Sequence, residues 1–269
     1  MSDYQDIIYE KFGAVVRVSH NRPKRGNAQN FQLLRELDDA ISRVAKDPEV
    51  SVMILASVGK HFSAGHDLKE WNDIGISPSV EDRWALEGDL YFGVALRLWE
   101  LHKPTIAQVQ GACIAAGFMT ANMCDLIVAA DDAYFSDPVT KSLGAASVEM
   151  LVHPWVLTSR KAREMLYTSE PIPAQDALDF GMVNRVVPRA ELEDATMALA
   201  QKIAETPAFA LQLVKRSLNR TQELQGFRDA VKAHFDTHQL SHYSETHKQT
   251  AGQGMGTAIS AGKTAVAAE

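Results

Sequence analysis

Hydrophobic residues follow two different periods along this chain. The run VSVMILAS (50–57) is continuously apolar and rich in β-branched residues, which is typical of a strand buried on both faces. The segment 31–47 instead repeats its apolar residues at the spacing of one helix face, and Asn30 stands where a helix N-cap is expected. The same criteria predict further strands at 14–18, 105–109, 125–130 and 183–187. They predict further helices at 79–101, 115–123, 159–168, 174–180 and 189–204.

Strands and helices alternate in this pattern, which indicates an α/β fold with mostly parallel strands. The stretch 21–30 interrupts the alternation with Pro, Gly and three Asn residues and is predicted to be a loop. After Pro207 the chain is predicted to be helical to about Tyr243. Residues 251–269 are rich in Gly and Ala, have no apolar face and are predicted to form a loose tail.

Composition narrows the functional classes. The chain has 269 residues, of which 46% are hydrophobic and 23% charged, enough for a substantial core in a globular protein. The formal net charge of −7 gives no support to nucleic-acid binding, so an anionic ligand needs a local basic patch. The N-terminus does not resemble a secretory signal, no apolar run is long enough to span a bilayer, and Cys113 and Cys124 lack zinc-type spacing. We therefore expect a reduced, cytoplasmic protein that binds neither membranes nor nucleic acids.

Two turns rich in small residues each lead into a helix start. HFSAGHDLKE (61–70) follows the buried strand 50–57, and GACIAAGFMTANMCD (111–125) runs into an apolar helix. Backbone N–H groups at a helix start have no partner within the helix, so two such turns brought together can aim two donors at one oxygen atom. Each turn alone is equally typical of close strand–helix packing.

Five stretches of the sequence, in this order and spacing, resemble the crotonase (enoyl-CoA hydratase/isomerase) superfamily. They are NRPKRGNAQN, FSAGHDLKE, KPTIAQVQGACIAAGF, MCDLIVAADDAYFSDP and AQDALDFGMVNRVVP, within the region from about residue 15 to residue 188. The resemblance implies an α/β spiral core of ββα units over 1–205, a helical trimerisation region over 206–250 and a flexible tail over 251–269. It also implies a homotrimer or a homohexamer, and the apolar spacing within 207–220 is that of a helix that needs a partner surface.

The resemblance further implies an acyl-CoA thioester as ligand, with coenzyme A carried by the substrate and no other cofactor. By their positions in the two motifs, His66 and Ala116 correspond to the backbone N–H donors that bind the thioester oxygen. The residues that correspond to coenzyme A contacts in relatives are Lys24, Arg25, Ala64, His66, Asp67 and Leu68. An exposed basic loop explains Lys24 and Arg25 equally well. The region that lines the acyl pocket in relatives contains Trp71, Trp84, Glu87, Met119 and Val139. For Trp84, core filling is the simpler interpretation.

The sequence departs from the hydratase pattern at both expected glutamates. Met119 and Val139 occupy those positions, and neither side chain can transfer a proton. The segment TKSLGAASVEMLVHPW offers Glu149 and His153 instead, on one face if the segment is helical. We expect an apolar pocket to raise the pKa of Glu149 toward neutrality, which suits acid–base catalysis; alternatively, the two side chains only bond each other. Asp137, which precedes a proline, is predicted to cap a turn rather than to reach the site.

A histidine stripe raises the question of a metal site. His234, His238 and His242 recur at every fourth residue, with His247 beyond them, so one helix face can present several imidazoles. No carboxylate or cysteine completes the set at a firm spacing. We therefore expect no metal and interpret the stripe as a helix surface that faces a partner.

These observations favour a crotonase-fold enzyme of the lyase or isomerase type, nominally an enoyl-CoA hydratase that stabilises a thioester enolate at His66 and Ala116. The missing glutamates keep two alternatives open. One is an acyl-CoA binding protein with little turnover. The other is a thioester or carbon–carbon bond hydrolase that uses Glu149 or His153.

Overall fold

A computed structural model describes residues 4–73 and 79–250 of the chain. The strands in this part of the chain are β1 (Ile7–Phe12), β2 (Val15–His20), β3 (Val52–Ser57), β4 (Thr105–Val109), β5 (Ala112–Ile114), β6 (Leu126–Ala130), β7 (Tyr134–Ser136), β8 (Ile172–Pro173) and β9 (Arg185–Val187). The α-helices are α1 (Phe31–Lys46), α2 (Leu68–Asp73), α3 (Val80–Glu87), α4 (Gly93–Glu100), α5 (Ala116–Asn122), α6 (Val139–Leu143), α7 (His153–Val156), α8 (Ser159–Thr168), α9 (Ala174–Asp179), α10 (Leu192–Ala204), α11 (Ala208–Leu224) and α12 (Phe227–Ser241). A π-helix, Gly88–Phe92, joins α3 to α4, and 3₁₀ turns occupy Pro23–Arg25 and Arg189–Glu191.

The larger sheet contains six strands in the order β1-β2-β3-β4-β6-β9. β1 and β2 form an antiparallel pair, and the later neighbours pair in parallel, which confirms the predicted mostly parallel arrangement. Every residue of β3 is buried because the sheet is covered on both faces. Met53 and Leu55 belong to the cluster that contains α1, whereas Val52 and Ile54 pack with Leu192 of α10. This double cover is the physical reason for the continuous apolar run.

The smaller sheet has the order β5-β7-β8. The chain passes twice from the larger sheet to the smaller one, from β4 to β5 and from β6 to β7, so a unit of two strands and a helix recurs. Together with the helical C-terminal region, this is the predicted crotonase-like α/β fold. The sequence pattern does not predict β1, β5, β7 or β8. β5 and β7 have three residues each and β8 has two, while β1 has one fully buried side chain.

Helix α1 begins as predicted. The side-chain oxygen of Asn30 accepts a hydrogen bond from the N–H of Leu33 at 2.9 Å, so one orphan donor of the first turn is satisfied. The predicted helix 79–101 is helical throughout, but the π-helix divides it into α3 and α4. The wider turn of a π-helix changes the direction of the side chains that follow it, and such turns are frequent at functional sites.

The segment 140–155 is not one helix. Helix α6 ends at Leu143, Gly144 then takes the left-handed conformation with φ of +63°, and α7 begins only at His153. Glu149 lies between the two helices. The condition under which Glu149 and His153 would share a helix face is therefore not met.

The C-terminal region is helical as predicted. Helix α11 leaves a row of large apolar side chains exposed, namely Phe209, Leu213, Val214 and Leu218. The predicted tail, 251–269, lies outside the described residues. Across residues 4–73 and 79–250, no helix has the combination of length and apolarity that crossing a bilayer requires.

Candidate active site

The two predicted turns meet in the structure. The N–H of Ser63 donates to the carbonyl oxygen of Ala112 at 3.0 Å, and the N–H of Ile114 donates to that of Ser63 at 2.9 Å. This strand-like pairing fixes the first turn against the start of α5. A Cβ atom on Gly117 would lie only 2.7 Å from the Cβ of Ser63, so glycine is required at this contact.

Gly65 brings the first turn close to the N-terminus of α5. Its φ of +95° favours glycine, and a Cβ atom there would lie 3.1 Å from the Cβ of Ala115 and 3.7 Å from the nitrogen of Ala116. Ala115 itself has a φ of +50° and a ψ of −114°, which is an unfavourable conformation for a residue with a side chain. Backbone strain of this kind is concentrated at functional sites.

Two N–H groups at this junction are available to a ligand. Gln29 bonds to the first turn on either side of His66. Its N–H donates to the carbonyl oxygen of Gly65, and its carbonyl oxygen accepts the N–H of Asp67, so the N–H of His66 takes no part in this pairing. Ala116 is the first residue of α5, where an N–H has no partner within the helix. Within residues 4–73 and 79–250, neither the N–H of His66 nor that of Ala116 has an acceptor.

The side chain of His66 contacts Glu149. Its Nε2 lies 2.6 Å from Oε1 of Glu149, and its ring stacks on Tyr91 with the ring centroids 4.0 Å apart. Glu149 is fully buried, and its second oxygen, Oε2, has no hydrogen-bond partner among the described residues. The sequence motif assigns a role only to the main chain of His66, not to its side chain. The sequence does not indicate Tyr91 either, because this tyrosine lies in the π-helix, which no sequence period predicts.

Electrostatics at this pair differ from the expectation. Burial raises the pKa of Glu149, but the charge of His66 and the hydrogen bond between them lower it, and the net pKa lies below the ordinary value. The expected rise of this pKa toward neutrality is therefore wrong, because the interaction with His66 outweighs the effect of burial. Burial, followed by the charge of Glu149, raises the pKa of Tyr91 well above its ordinary value. The tyrosine O–H thus stays protonated and donates to the carbonyl oxygen of Gln29 at 3.0 Å.

His153 lies in a different environment from Glu149. It is fully buried, stacks on Phe118 with centroids 4.6 Å apart, and has Nε2 at 3.3 Å from Oδ2 of Asp137. Asp137 also accepts the N–H of Val139 at 3.1 Å, two residues further on, which is the predicted turn-capping contact. The structure does not bring His153 and Glu149 together as one acid–base pair.

The residues expected around the acyl pocket separate into two groups. Met119 and Val139 are buried apolar side chains, and Trp71 stacks on Tyr91 beside His66. Trp84 is 43% exposed and packs edge-on against a phenylalanine of α12, so the expectation that it fills the core is wrong.

Glu87 does not present a free carboxylate to a pocket. It is 2% exposed, and its two oxygens accept hydrogen bonds from Arg83 at 2.8 Å and from Gln239 at 2.5 Å. A buried carboxylate needs such partners, which explains why it turns toward α12.

The loop expected to contact coenzyme A lies next to the first turn. Lys24 and Arg25 are exposed on their 3₁₀ turn, and the following residue, Gly26, accepts the N–H of Ala64 at 2.9 Å. The N–H groups of Asp67 and Leu68 also bond within the protein, to Gln29 and His66. Because these N–H groups are already engaged, the main chain of Ala64, Asp67 or Leu68 can contact a ligand only through carbonyl oxygens.

The histidine stripe is not a surface that faces a partner. His238 is 3% exposed, and the side chains of His242 and Glu87 lie beside it in the interior. The expectation that no carboxylate completes the set is also wrong, because Glu87 reaches the stripe from α3. The sequence gives no sign of this, since the fold alone brings the two segments together.

The two-sheet fold and the paired turns define a protein of the crotonase type. The chain belongs to the enoyl-CoA hydratase/isomerase family, whose model matches residues 10–258. A putative enoyl-CoA hydratase, EchA13 from Mycobacterium tuberculosis, is 39% identical over 89% of this chain and 81% of its own length. 4-Chlorobenzoyl coenzyme A dehalogenase-2 from Arthrobacter is 32% identical over 81% of this chain and 78% of its own. The crystal structure of a probable enoyl-CoA hydratase from Mycobacterium smegmatis is 46% identical, covers 88% of this chain and 94% of its own, and superposes with a TM-score of 0.84.

Proposed function

We propose that this protein acts on an acyl-CoA thioester, whose carbonyl oxygen accepts hydrogen bonds from the N–H groups of His66 and Ala116. Glu149, paired with His66, then moves a proton at the carbon next to the carbonyl. The observation that carries the proposal is the 2.6 Å contact between His66 and Glu149, because it puts a buried base on the turn that offers the free N–H. Coenzyme A enters as part of the substrate, so the reaction draws on no separate organic cofactor.

The chemistry follows from the charge that develops on the thioester. Removal of a proton beside the carbonyl places negative charge on the oxygen, and two fixed N–H donors stabilise the resulting enolate. Loss of one such donor typically costs about 2.7–4 kcal/mol. Glu149 can accept the proton because its carboxylate is ionised at neutral pH, and its Oε2 has no other partner among the described residues.

The proposal includes weak hydration of enoyl thioesters. Met119 and Val139 are buried apolar residues where hydratase glutamates are expected, so a single carboxylate remains to manage a water molecule. One relative is named a hydratase and another a dehalogenase, so proteins similar to this chain differ in the reaction named for them. We assign the chain to the isomerase or lyase type on the basis of enolate formation.

Proton exchange at the α-carbon tests the proposal with a straight-chain saturated acyl-CoA, because such a thioester carries two hydrogens beside its carbonyl. The thioester incubated in D₂O with the enzyme should gain deuterium at the α-carbon, measured by mass spectrometry. Ala116→Pro removes one N–H and should abolish the exchange. Unchanged exchange in folded Ala116→Pro would refute the oxyanion assignment. Binding of acyl-CoA without exchange by the wild type would favour the binding-protein alternative, and release of free thiol would favour a thioesterase.

We also propose that Lys24 and Arg25 bind the phosphates of coenzyme A. Both are exposed cations on the loop that contacts the first turn. Lys24→Gln combined with Arg25→Gln should weaken acyl-CoA binding more than binding of the corresponding acyl-pantetheine, which lacks the nucleotide. Equal loss for the two ligands would contradict the role.

The assembly that we propose is a homotrimer or a dimer of trimers. The exposed apolar row of α11 supports it, because Phe209 is 70% exposed and Leu218 is 63% exposed on the same helix. A groove of about 500 Å³ between the end of α4 and α11 adds concave surface next to this row. Light scattering that shows a stable monomer at micromolar concentration would refute the assembly.

A further inference from the structure

Glu87, His238 and His242 form a buried cluster that shares no residue with the proposed acid–base pair, although Glu87 and His238 lie close enough to Glu149 to influence its pKa. The two histidines lie one turn apart at the end of α12, and Glu87 is the last residue of α3. Nε2 of His238 lies 3.0 Å from Nε2 of His242, and Oε2 of Glu87 lies 3.5 and 3.9 Å from these two atoms. Three donor atoms therefore point at one small volume.

We propose that these three side chains bind a divalent transition-metal ion of the Zn²⁺ type and that the ion fastens α12 to α3. Two imidazole nitrogens and one carboxylate oxygen are a common zinc ligand set. Metal–ligand bonds of about 2.0–2.2 Å place tetrahedral ligands roughly 3.3–3.6 Å apart. The observed separations of 3.0 to 3.9 Å bracket this range, so small side-chain movements complete the site.

Hydrogen bonds around the cluster show which nitrogens remain for a metal. Nδ1 of His238 lies 2.9 Å from the carbonyl oxygen of Ser147, and Nδ1 of His247 lies 2.8 Å from that of Leu143. Both nitrogens face acceptors and must carry the hydrogen. A neutral His247 then offers a lone pair at Nε2, which accepts the Nδ1–H of His242 at 3.3 Å.

Each of the three neutral rings has then used its single N–H. The Nε2 atoms of His238 and His242 consequently both present lone pairs toward each other across 3.0 Å. This arrangement requires a cation between them, which is either one additional proton or a metal ion. The Glu87 carboxylate stabilises either cation, but only a metal ion would take it as a third ligand, and its Oε2 lies 3.5 and 3.9 Å from the two nitrogens.

The surroundings match the outer shell of a metal centre. Metal-binding histidines usually donate their other N–H to a carbonyl or another acceptor, and metal-binding carboxylates are themselves hydrogen-bonded. Ser147 and His247 accept from the two histidines, while Arg83 and Gln239 donate to Glu87. The orientation of all three ligands is thereby fixed.

The test titrates Zn²⁺ into the chelator-treated full-length protein by calorimetry, with Tm as a second readout. One Zn²⁺ per chain should bind and raise Tm, whereas Mg²⁺ should leave Tm unchanged because it prefers oxygen ligands. His242→Ala and Glu87→Gln should each weaken Zn²⁺ binding by at least about 100-fold. His234→Ala is the matched control: it lies on the same helix, but its Nε2 bonds to the carbonyl oxygen of Val148 at 2.9 Å, so Zn²⁺ affinity should match the wild type.

Three outcomes would overturn the proposal. The first is a folded wild-type chain that binds no stoichiometric zinc, which would identify the cation as a proton. The second is wild-type affinity in His242→Ala and Glu87→Gln, and the third is an equal loss in His234→Ala. If a ligand variant fails to fold, the visible spectrum of the Co²⁺-loaded wild type decides. Intense bands indicate a four-coordinate site, and weak octahedral bands contradict it.

Discussion

Replacement of Glu149 by glutamine separates the charge of this side chain from its shape. Glutamine has the same length and still reaches the imidazole of His66, from which Oε1 now lies 2.6 Å away. It cannot accept a proton from a substrate. Glu149 is fully buried, so bulk water cannot replace it as the proposed base in the variant.

The expected loss is large enough to distinguish catalysis from positioning. A general base contributes about 10²–10⁴-fold, or about 2.7–5.4 kcal/mol. A hydrogen bond to a charged group contributes about 1.5–3 kcal/mol and a neutral one about 0.5–1.5 kcal/mol. If Glu149 only oriented His66, the variant would replace a charged hydrogen bond with a neutral one. It would then lose the difference between the two, about 1–1.5 kcal/mol, or roughly tenfold in rate.

Deuterium exchange into a saturated acyl-CoA measures this loss, with acyl-CoA affinity determined in parallel. We expect the exchange rate to fall by at least about 100-fold in Glu149→Gln, with affinity nearly unchanged. Asp137→Asn is the control, because Asp137 is also a fully buried carboxylate beside a histidine but contacts neither turn. A loss below about tenfold with intact binding, or an equal loss in the control, would remove Glu149 from the mechanism.

The remaining predictions concern stability. Gly65→Ala should destabilise the protein more than Gly181→Ala in urea unfolding, because both residues have positive φ but only Gly65 has atoms within 4 Å of a new Cβ. Glu36→Ala should cost roughly 3 kcal/mol or more in the same assay, since its buried carboxylate accepts the N–H groups of residues 5–7. Burial lowers the pKa of His20 to about 4, so its contribution to stability is complete above pH 6.5 and is lost as the pH falls toward 4. Over that window the wild type should lose about 3 kcal/mol more stability than His20→Leu, measured by urea unfolding at each pH.

Each of these predictions has a result that contradicts it. Equal destabilisation of the two glycine variants would show that the close approach at Gly65 does not matter. A cost below about 1 kcal/mol for Glu36→Ala would mean that the three N–H groups find other partners. Parallel pH–stability curves for the wild type and His20→Leu would show that His20 binds its proton equally well in the folded and unfolded states.

Local sequence signals predicted the elements whose structure is decided locally. The apolar run of β3 and the apolar face of α1 each reflect their own burial, and Asn30 caps α1 as its position indicates. The short strands β5 and β7 left no period to detect. The order of the motifs nevertheless identified the fold class correctly, because five spaced stretches constrain a topology more strongly than any single strand does.

Contacts between distant segments could not be predicted in the same way. Glu149 and His66 are 83 positions apart, and nothing in either motif specifies their 2.6 Å contact. A helix across 140–155 would place Glu149 beside His153, but Gly144 is left-handed and Glu149 contacts His66 instead. Likewise, the sequence does not predict that Glu87 lies beside the histidine stripe. The packing of α3 and the following π-helix against α12 produces this contact.

His66 presents two separable parts to its surroundings. Its main-chain N–H has no acceptor within the described residues, and its imidazole is bonded to Glu149. Every amino acid except proline supplies that N–H, so a substitution at this position leaves the donor in place. A substitution at position 66 can therefore change the side-chain chemistry while the main-chain donor that we propose for the thioester oxygen stays in place. A scaffold organised in this way can diversify its reactions through very few mutations.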